Sequence, residues 1–338
     1  MNQTNSALDS IRRLHEQVTI GLQGWSVIAK ELKRCNRVKP ENIILMGMGG
    51  SAIGPHLVQS VFAGELTIPF QIVNGYELPG YASKKSLVVF SSFSGGTEEV
   101  LAAYKQATKK NLPRFVICAG GELARLAKKD SVGLYEFDPS DLAPQPRYGV
   151  GFSVMATLGV LRGLGLVRIS SAEVEKIIQR LKDKQLEKTA LRFAKAMQGS
   201  VPVLVAAEHL QGALHIMQNQ LHETGKQFAV QFSIPELNHH LMEGLGAPKE
   251  VVKKLHFLFV DSALYGVRIK KRFALTQTVV KKNGARSSRF LLSGKTALEQ
   301  AFELIGIGGF LAYALATKRG IDPVPQPWVD WFKREMSK

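Results

Sequence analysis

The sequence predicts an α/β protein built from two doubly wound units, each a flavodoxin-like parallel sheet flanked by helices. Three observations carry that reading. From residue 41 onward, short β-branched runs alternate with stretches of helical length. The first such run leads straight into a glycine-rich turn, Gly47-Met-Gly-Gly-Ser-Ala-Ile-Gly54. A proline-rich break, Asp138-Pro-Ser-Asp-Leu-Ala-Pro-Gln-Pro-Arg147, then interrupts the alternation with three prolines, which neither a helix nor a central strand tolerates. The chain has 338 residues, room for two domains at the usual size of roughly 100–200 residues each. The break divides them: residues 1–150 with a lead helix, and 151–338 with closing helices.

The elements follow in order. Apolar residues at helical spacing over 6–34 predict an amphipathic lead helix, in which Asp9, Arg12, Arg13, Glu16 and Lys30 interrupt any run long enough for a secretory leader. Strands are expected at 43–46, 70–73, 87–90, 115–118 and 133–137, with helices near 51–64, 97–110 and 121–129 between them. After the break come helices at about 149–166 and 171–198, strands at 201–206 and 255–260, and helices near 295–318 and 326–337. The longest apolar runs, 150–161 and 304–316, fall short of the roughly 20 residues that cross a bilayer. Both read as buried core helices, and no membrane association is expected.

Composition narrows the class further. With 45% hydrophobic and 21% charged residues the chain is globular rather than disordered. Cys35 and Cys118 make no disulfide framework, and eight scattered histidines show no zinc spacing. A reducing, cytoplasmic setting without a structural metal is the expectation. The net charge of +16 is uneven: residues 251–289 hold ten Lys/Arg against one acid, Asp261. Such a field favours anions, but the stretch contains no recognisable nucleic-acid reading module, so it reads as a solvated basic face.

Two loops look like an anion site. The turn at 47–54 exposes backbone N–H groups where a helix begins and its dipole favours negative charge. It also matches a dinucleotide fingerprint at Gly47, Gly49 and Ala52, yet the second strand ends in Asn74 where a ribose-binding acid is expected. The third strand leads into Ser91-Ser-Phe-Ser-Gly-Gly-Thr97, placing hydroxyls at Ser92, Ser94 and Thr97 beside another helix start. Thr97 alone would be an ordinary N-cap, but Val100 sits where a capping box needs Glu or Gln. Two such loops at the carboxyl ends of neighbouring strands point to a bound phosphate, held by Ser51, Ser92, Ser94 and Thr97 with Gly49 and Gly50 letting the backbone approach.

The order of motifs resembles a known family, the sugar isomerase (SIS) domain proteins, and within it the bifunctional phosphoglucose/phosphomannose isomerases. The resemblance rests on the loops at 46–54 and 92–99, Gln145-Pro-Arg147, Pro235-Glu-Leu-Asn-His239 and Asp322-Pro-Val-Pro325, and so spans nearly the whole chain. It implies an isomerase interconverting glucose 6-phosphate and fructose 6-phosphate through a cis-enediol, with mannose 6-phosphate as a further substrate and no cofactor or metal. It assigns the proton-transfer base to Glu223, the enediolate-stabilising cation to Arg147, and ring opening to His239 with Lys333. His239 lies sixteen residues after Glu223 and Lys333 eleven after Asp322. The resemblance further implies a homodimer in which the histidine crosses the interface. Gln326, seven residues before Lys333, stands where the dual-specificity enzymes tend to carry threonine, which implies a tilt toward glucose over mannose phosphate.

One departure stands out. The family's H-N-E pattern reads His239-His240-Leu241 here, without the carboxylate that would orient the imidazole. That motivates an alternative from another class, a sugar-phosphate sensor with an SIS fold and no turnover. The presence of Glu223, Arg147 and Lys333 favours catalysis, because a binder has no use for a proton-transfer base.

Overall fold

The structure, a computed structural model, describes residues 3–35, 39–336 and 338. The first sheet holds β1 (Asn42–Gly47), β2 (Phe70–Val73), β3 (Ser86–Ser92), β4 (Arg114–Cys118) and β5 (Gly133–Glu136), all parallel, in the order β2-β1-β3-β4-β5. Every residue of β3 is buried, as a central strand covered by helices on both faces must be. Strand order reverses between β1 and β3, and the crevice beyond their carboxyl ends is where an open α/β sheet takes its ligand.

The second sheet repeats that order with one strand fewer. β6 (Val201–Ala207), β7 (Val230–Ile234), β8 (Leu255–Asp261) and β9 (Arg286–Leu291) run parallel as β7-β6-β8-β9. Sequence patterning foresees β6 and β8 but not β7 or β9. Both are edge strands, and β9 carries exposed Arg286 and Arg289. Polar edges discourage strand addition and erase the apolar signal at the same time.

Two expected helices are each broken. The lead helix is a pair, Gln3–Arg12 and Leu14–Cys35. The stretch expected at 171–198 divides into Ser171–Leu181, opened by a capping box between Ser170 and Glu173, and Gln185–Ala196, whose Gln185 N–H donates to Asp183 Oδ1 at 2.8 Å. A helix start signalled by an aspartate two residues ahead is local chemistry that a periodicity count passes over.

Helix Ala297–Thr317 matches the span expected at 295–318 and extends well beyond the apolar run at 304–316. Its 21 residues are long and apolar enough to cross a bilayer, but 89% of its most apolar 18-residue window is buried inside the fold. The extra length comes from buried polar residues with partners. Glu303 accepts from the Ser293 and Gly294 N–H groups and pairs with Arg180, and Gln300 bonds His209, Ser262 and Gly294. Residue 337, expected in the last helix, lies outside the described residues; that helix is Pro327–Met336.

Helix Gly50–Val61, which starts at the glycine-rich turn, is clasped from two sides. A Cβ on Gly54 would come within 2.7 Å of the Ser153–Val154 backbone in helix Val150–Gly163, and one on Gly212 would land on the His56 carbonyl. Gly212 belongs to helix Gln211–Glu223 of the second unit. The two units therefore share one continuous apolar core, and a smaller cluster lies beneath helices Glu98–Lys109 and Gly121–Lys129.

Candidate active site

The loops after β1 and β3 form one connected cradle. Gly49, at φ +47°, begins helix Gly50–Val61, and neither Gly49 nor Thr97 caps its helix with a side chain. Two helix N-termini thus keep backbone donors available side by side at the sheet's switch point. Glycine is required at position 49 by its left-handed backbone and at position 50 by space, because a Cβ there would sit 2.9 Å from the Pro146 carbonyl.

The four predicted hydroxyls divide into two roles. Ser51 and Ser92 are buried: Ser51 Oγ accepts from the Phe93 N–H at 2.9 Å, tying the two loops together, while Ser92 Oγ meets Thr97 Oγ1 at 2.8 Å and accepts from the Gly95 N–H. They brace the cradle. Ser94 is exposed and Thr97 half-buried, so these two hydroxyls are open to a ligand. Asn74 donates to the Gly47 carbonyl at 2.7 Å and supports the loop, which gives the absent ribose-binding acid a structural replacement.

Arg147 reaches the same crevice from the proline-rich break. Pro146–Tyr148 forms a short 3-10 turn whose backbone rests on Gly50. The guanidinium lies 4.7 Å from the Tyr148 ring centroid and donates through Nη2 to the Val324 carbonyl at 2.5 Å. Arg147 is only 9% exposed; holding a cation that deep at the edge of a phosphate cradle concentrates positive potential where sugar oxygens would lie.

Opposite stands Glu223, the last residue of helix Gln211–Glu223. It is half-buried, and its Oε2 accepts from Gln326 Nε2 at 2.9 Å. Residues 321–326 form a strap that crosses the site, turned by Asp322 Oδ1 accepting the Val324 N–H. The strap is held by Arg147 at Val324 and by Lys226 at Pro325. The Lys226 ammonium is pushed below the usual lysine range, first by burial and then by neighbouring Arg147, against the opposing pull of Glu223 and Asp322. Sequence reading assigned Lys226 no role. Its signal was present in the Gly225-Lys226 pair that follows the base-carrying helix.

The structure thus brings Glu223, Arg147 and Gln326 together and leaves His239 and Lys333 apart from them. His239, in the short helix Leu237–His240, is exposed and makes no side-chain hydrogen bond among the described residues. Leu241, where the family has its carboxylate, packs against the core. Lys333 is exposed on helix Pro327–Met336, which buries none of its own residues. Between that helix and the end of helix Gln211–Glu223 lies an open cleft of 670 Å³ lined by His222, Lys226, Phe228, Ile321, Asp322 and Trp328, among others.

Comparison with known proteins fits this arrangement. Residues 186–336 match the family model described as the bacterial phospho-glucose isomerase C-terminal SIS domain. The bifunctional phosphoglucose/phosphomannose isomerase of Caldicellulosiruptor bescii is 27% identical over 311 residues, covering 88% of this chain and 90% of the relative. That of Aquifex aeolicus is 26% identical over 317 residues, covering 93% and 94%. Among solved structures, a hypothetical protein of Thermus thermophilus superposes with a TM-score of 0.73 at 17% identity, covering 98% of this chain and 90% of that one. Tandem parallel sheets, paired glycine and serine loops, and collinear relatives over about nine-tenths of the chain point one way: the second unit matches a phospho-glucose isomerase C-terminal SIS domain, and the chain as a whole is similar to the bifunctional phosphoglucose/phosphomannose isomerases at about 26% identity.

Proposed function

We propose that the protein interconverts glucose 6-phosphate and fructose 6-phosphate, with mannose 6-phosphate as a slower substrate. The observation that carries this reading is the carboxylate of Glu223, fixed by Gln326 beside the strap that also engages Arg147, facing a phosphate cradle on the neighbouring sheet. In the forward direction the phosphate sits on the available N–H groups at the two helix starts, near Gly49–Gly50 and Thr97, and on the hydroxyls of Ser94 and Thr97, with Ser51 and Ser92 bracing the loops beneath. Glu223 takes the proton from C2 of the open aldose while the C1 oxygen gains one, giving the cis-enediol. The C2 hydroxyl then loses its proton as Glu223 returns one to C1, which leaves the ketose. Arg147 stabilises the negative charge that builds on the oxygens between these steps.

Ring opening falls to His239 and Lys333. Neither touches Glu223 within one chain, and a homodimer in which each protomer lends His239 to its neighbour resolves the separation. The apolar C-terminal helix supports a dimer: Trp328, Trp331 and Phe332 are 80%, 50% and 57% exposed, a patch that a lone protomer rarely leaves in water.

The deciding experiment is a coupled assay of fructose 6-phosphate conversion with wild type and Glu223→Gln. Turnover that falls at least about a hundredfold in the variant, with unchanged thermal stability, identifies both reaction and base. A wild-type protein that is inert, yet gains thermal stability on adding the sugar phosphate, is instead a sensor, the role the Leu241 departure would produce.

A further inference from the structure

We infer that Lys226 is a positioning residue that staples the 321–326 strap to the end of the base-carrying helix and thereby sets the orientation of Glu223. Its ammonium donates to the Glu223 main-chain carbonyl at 2.5 Å and to the Pro325 carbonyl at 2.6 Å. The first is a helix-terminal acceptor that lacks an intrahelical donor, where a cation is favoured. The second belongs to the residue just before Gln326, whose amide holds the Glu223 carboxylate. The contacts close a small ring: Glu223 carboxylate, Gln326, Pro325 carbonyl, Lys226 ammonium, Glu223 carbonyl. The side chain of Glu223 is held by Gln326 directly and its main chain is tied to neighbouring Pro325 through the Lys226 ammonium, so the distance from helix to strap fixes where the carboxylate points.

The fold supports the staple from behind. Lys226 has a left-handed backbone, φ +47°, uncommon for a residue with a side chain. Arg319 holds it there by donating to the Gly225 and Lys226 carbonyls and to Gln227 Oε1 at 3.0 Å. The strap's other attachments are Arg147 on Val324 and the Gln326 amide on Glu223 itself. Releasing Lys226 would leave the strap tethered upstream of Pro325 by Arg147 and downstream only by the Gln326–Glu223 hydrogen bond, with the Lys333 helix following. This inference rests on the isomerase reading for its catalytic half, while the staple itself is a statement about structure.

The charge on Lys226 makes the staple titratable. The groups facing it are Arg147 from the 3-10 turn, Glu223 and His222 from the helix, Asp322 from the strap and Arg319 from behind. Because burial and Arg147 lower the ammonium's pKa, it loses its proton at a pH below the ordinary value of 10.5. A neutral amine is a weaker donor to two carbonyls, so turnover falls on that alkaline limb.

The test pairs Lys226→Met and Lys226→Arg with hydrogen exchange and pH-resolved kinetics on the full-length protein. Expected for Lys226→Met are faster exchange confined to peptides covering 321–336, a kcat loss of about ten- to a hundredfold with KM moved much less, and no alkaline limb. Lys226→Arg should recover most of kcat and carry the limb to higher pH, because guanidinium stays charged. Unchanged exchange in 321–336 overturns the staple. Faster exchange with wild-type kcat overturns its role in orienting the base. If the wild type is inert on hexose 6-phosphates, the isomerase reading has failed and the exchange result alone decides the staple.

Discussion

Glu223 and Gln326 are 103 positions apart in the chain and 2.9 Å apart in space. A carboxylate that accepts one amide hydrogen bond keeps its second oxygen for the substrate, and the amide decides which lone pair faces the sugar. Gln326→Thr removes that donor, since threonine's hydroxyl is too short to span the same gap. Turnover of glucose 6-phosphate should drop about tenfold, the order expected for losing a hydrogen bond to a charged group, while the mannose-to-glucose ratio of kcat/KM rises. Equal ratios in variant and wild type would dismiss Gln326 as a specificity residue. Individually, Glu223, Arg147 and Gln326 could be named only through the family resemblance, since residue type and spacing alone read each of them as an ordinary surface or linker residue. Their partners were not legible, because Lys226 on Pro325, Arg147 on Val324 and Ser51 on Phe93 all join side chains to main-chain atoms, and a sequence motif records side chains only.

Elements obey a different constraint, the space between them. Helix Gly50–Val61 carries half of the cradle and helix Gln211–Glu223 carries the proposed base, and they cross where Gly212 lies against His56. Gly212→Ala drives a methyl group into the opposing backbone, which cannot yield as a side chain can. The expected loss is about 1–3 kcal/mol of stability, with a raised KM for the sugar phosphate as the cradle helix shifts away from the base. Thermal unfolding compared with Gly64→Ala, whose added methyl meets open space, measures the first effect; that control should stay within about 0.5 kcal/mol of wild type. All five strands of the first sheet were foreseeable because each carries an apolar run, β2 and β5 included although they are edge strands and only partly buried. The second sheet was half foreseeable. Its edge strands face water and say little, and the break between Leu181 and Gln185 is written in one capping aspartate.

At the scale of the whole molecule, four wholly or partly buried histidines contribute to the response to acid. His56 and His215 face each other with ring centroids 5.3 Å apart, His209 is held by Gln300, and His256 by Ser288. Burial pushes all four below the ordinary histidine value of 6.5. The unfolded chain therefore takes up protons near pH 6.5 while the folded chain resists them until lower pH. Their contribution is complete above 6.5 and is lost as pH falls below it, at up to about 1.4 kcal/mol per pH unit for each histidine. Urea unfolding at pH 7.5 and 5.0 should show that drop, and replacing His56 and His215 together with Asn should flatten it; a profile no steeper in wild type than in the double variant rules the pair out. Assembly offers a second test at this scale. If each protomer lends His239, then His239→Ala and Glu223→Gln are both inactive alone, yet mixing them after unfolding and refolding should restore about a quarter of wild-type activity, from the one intact site in half of the dimers. No recovery would mean that both groups act within one chain.

The two sheets repeat one strand order but contribute unlike things to the site, since the first ends in donors for an anion and the second in a carboxylate on a helix tip. On the proposed reading grip lies in the first sheet's loops, while the chemistry lies mostly in the second half, with Arg147 joining it from the break between the units. Lesions within 47–97 should surface as weaker binding of every phosphorylated substrate alike. Lesions within 223–333 should change which sugar is turned over and how fast, with binding left nearly intact. If the cradle takes the phosphate as proposed, a new specificity can arise by drift in the second half, because the loops of the first sheet would meet only the handle that all such sugars share.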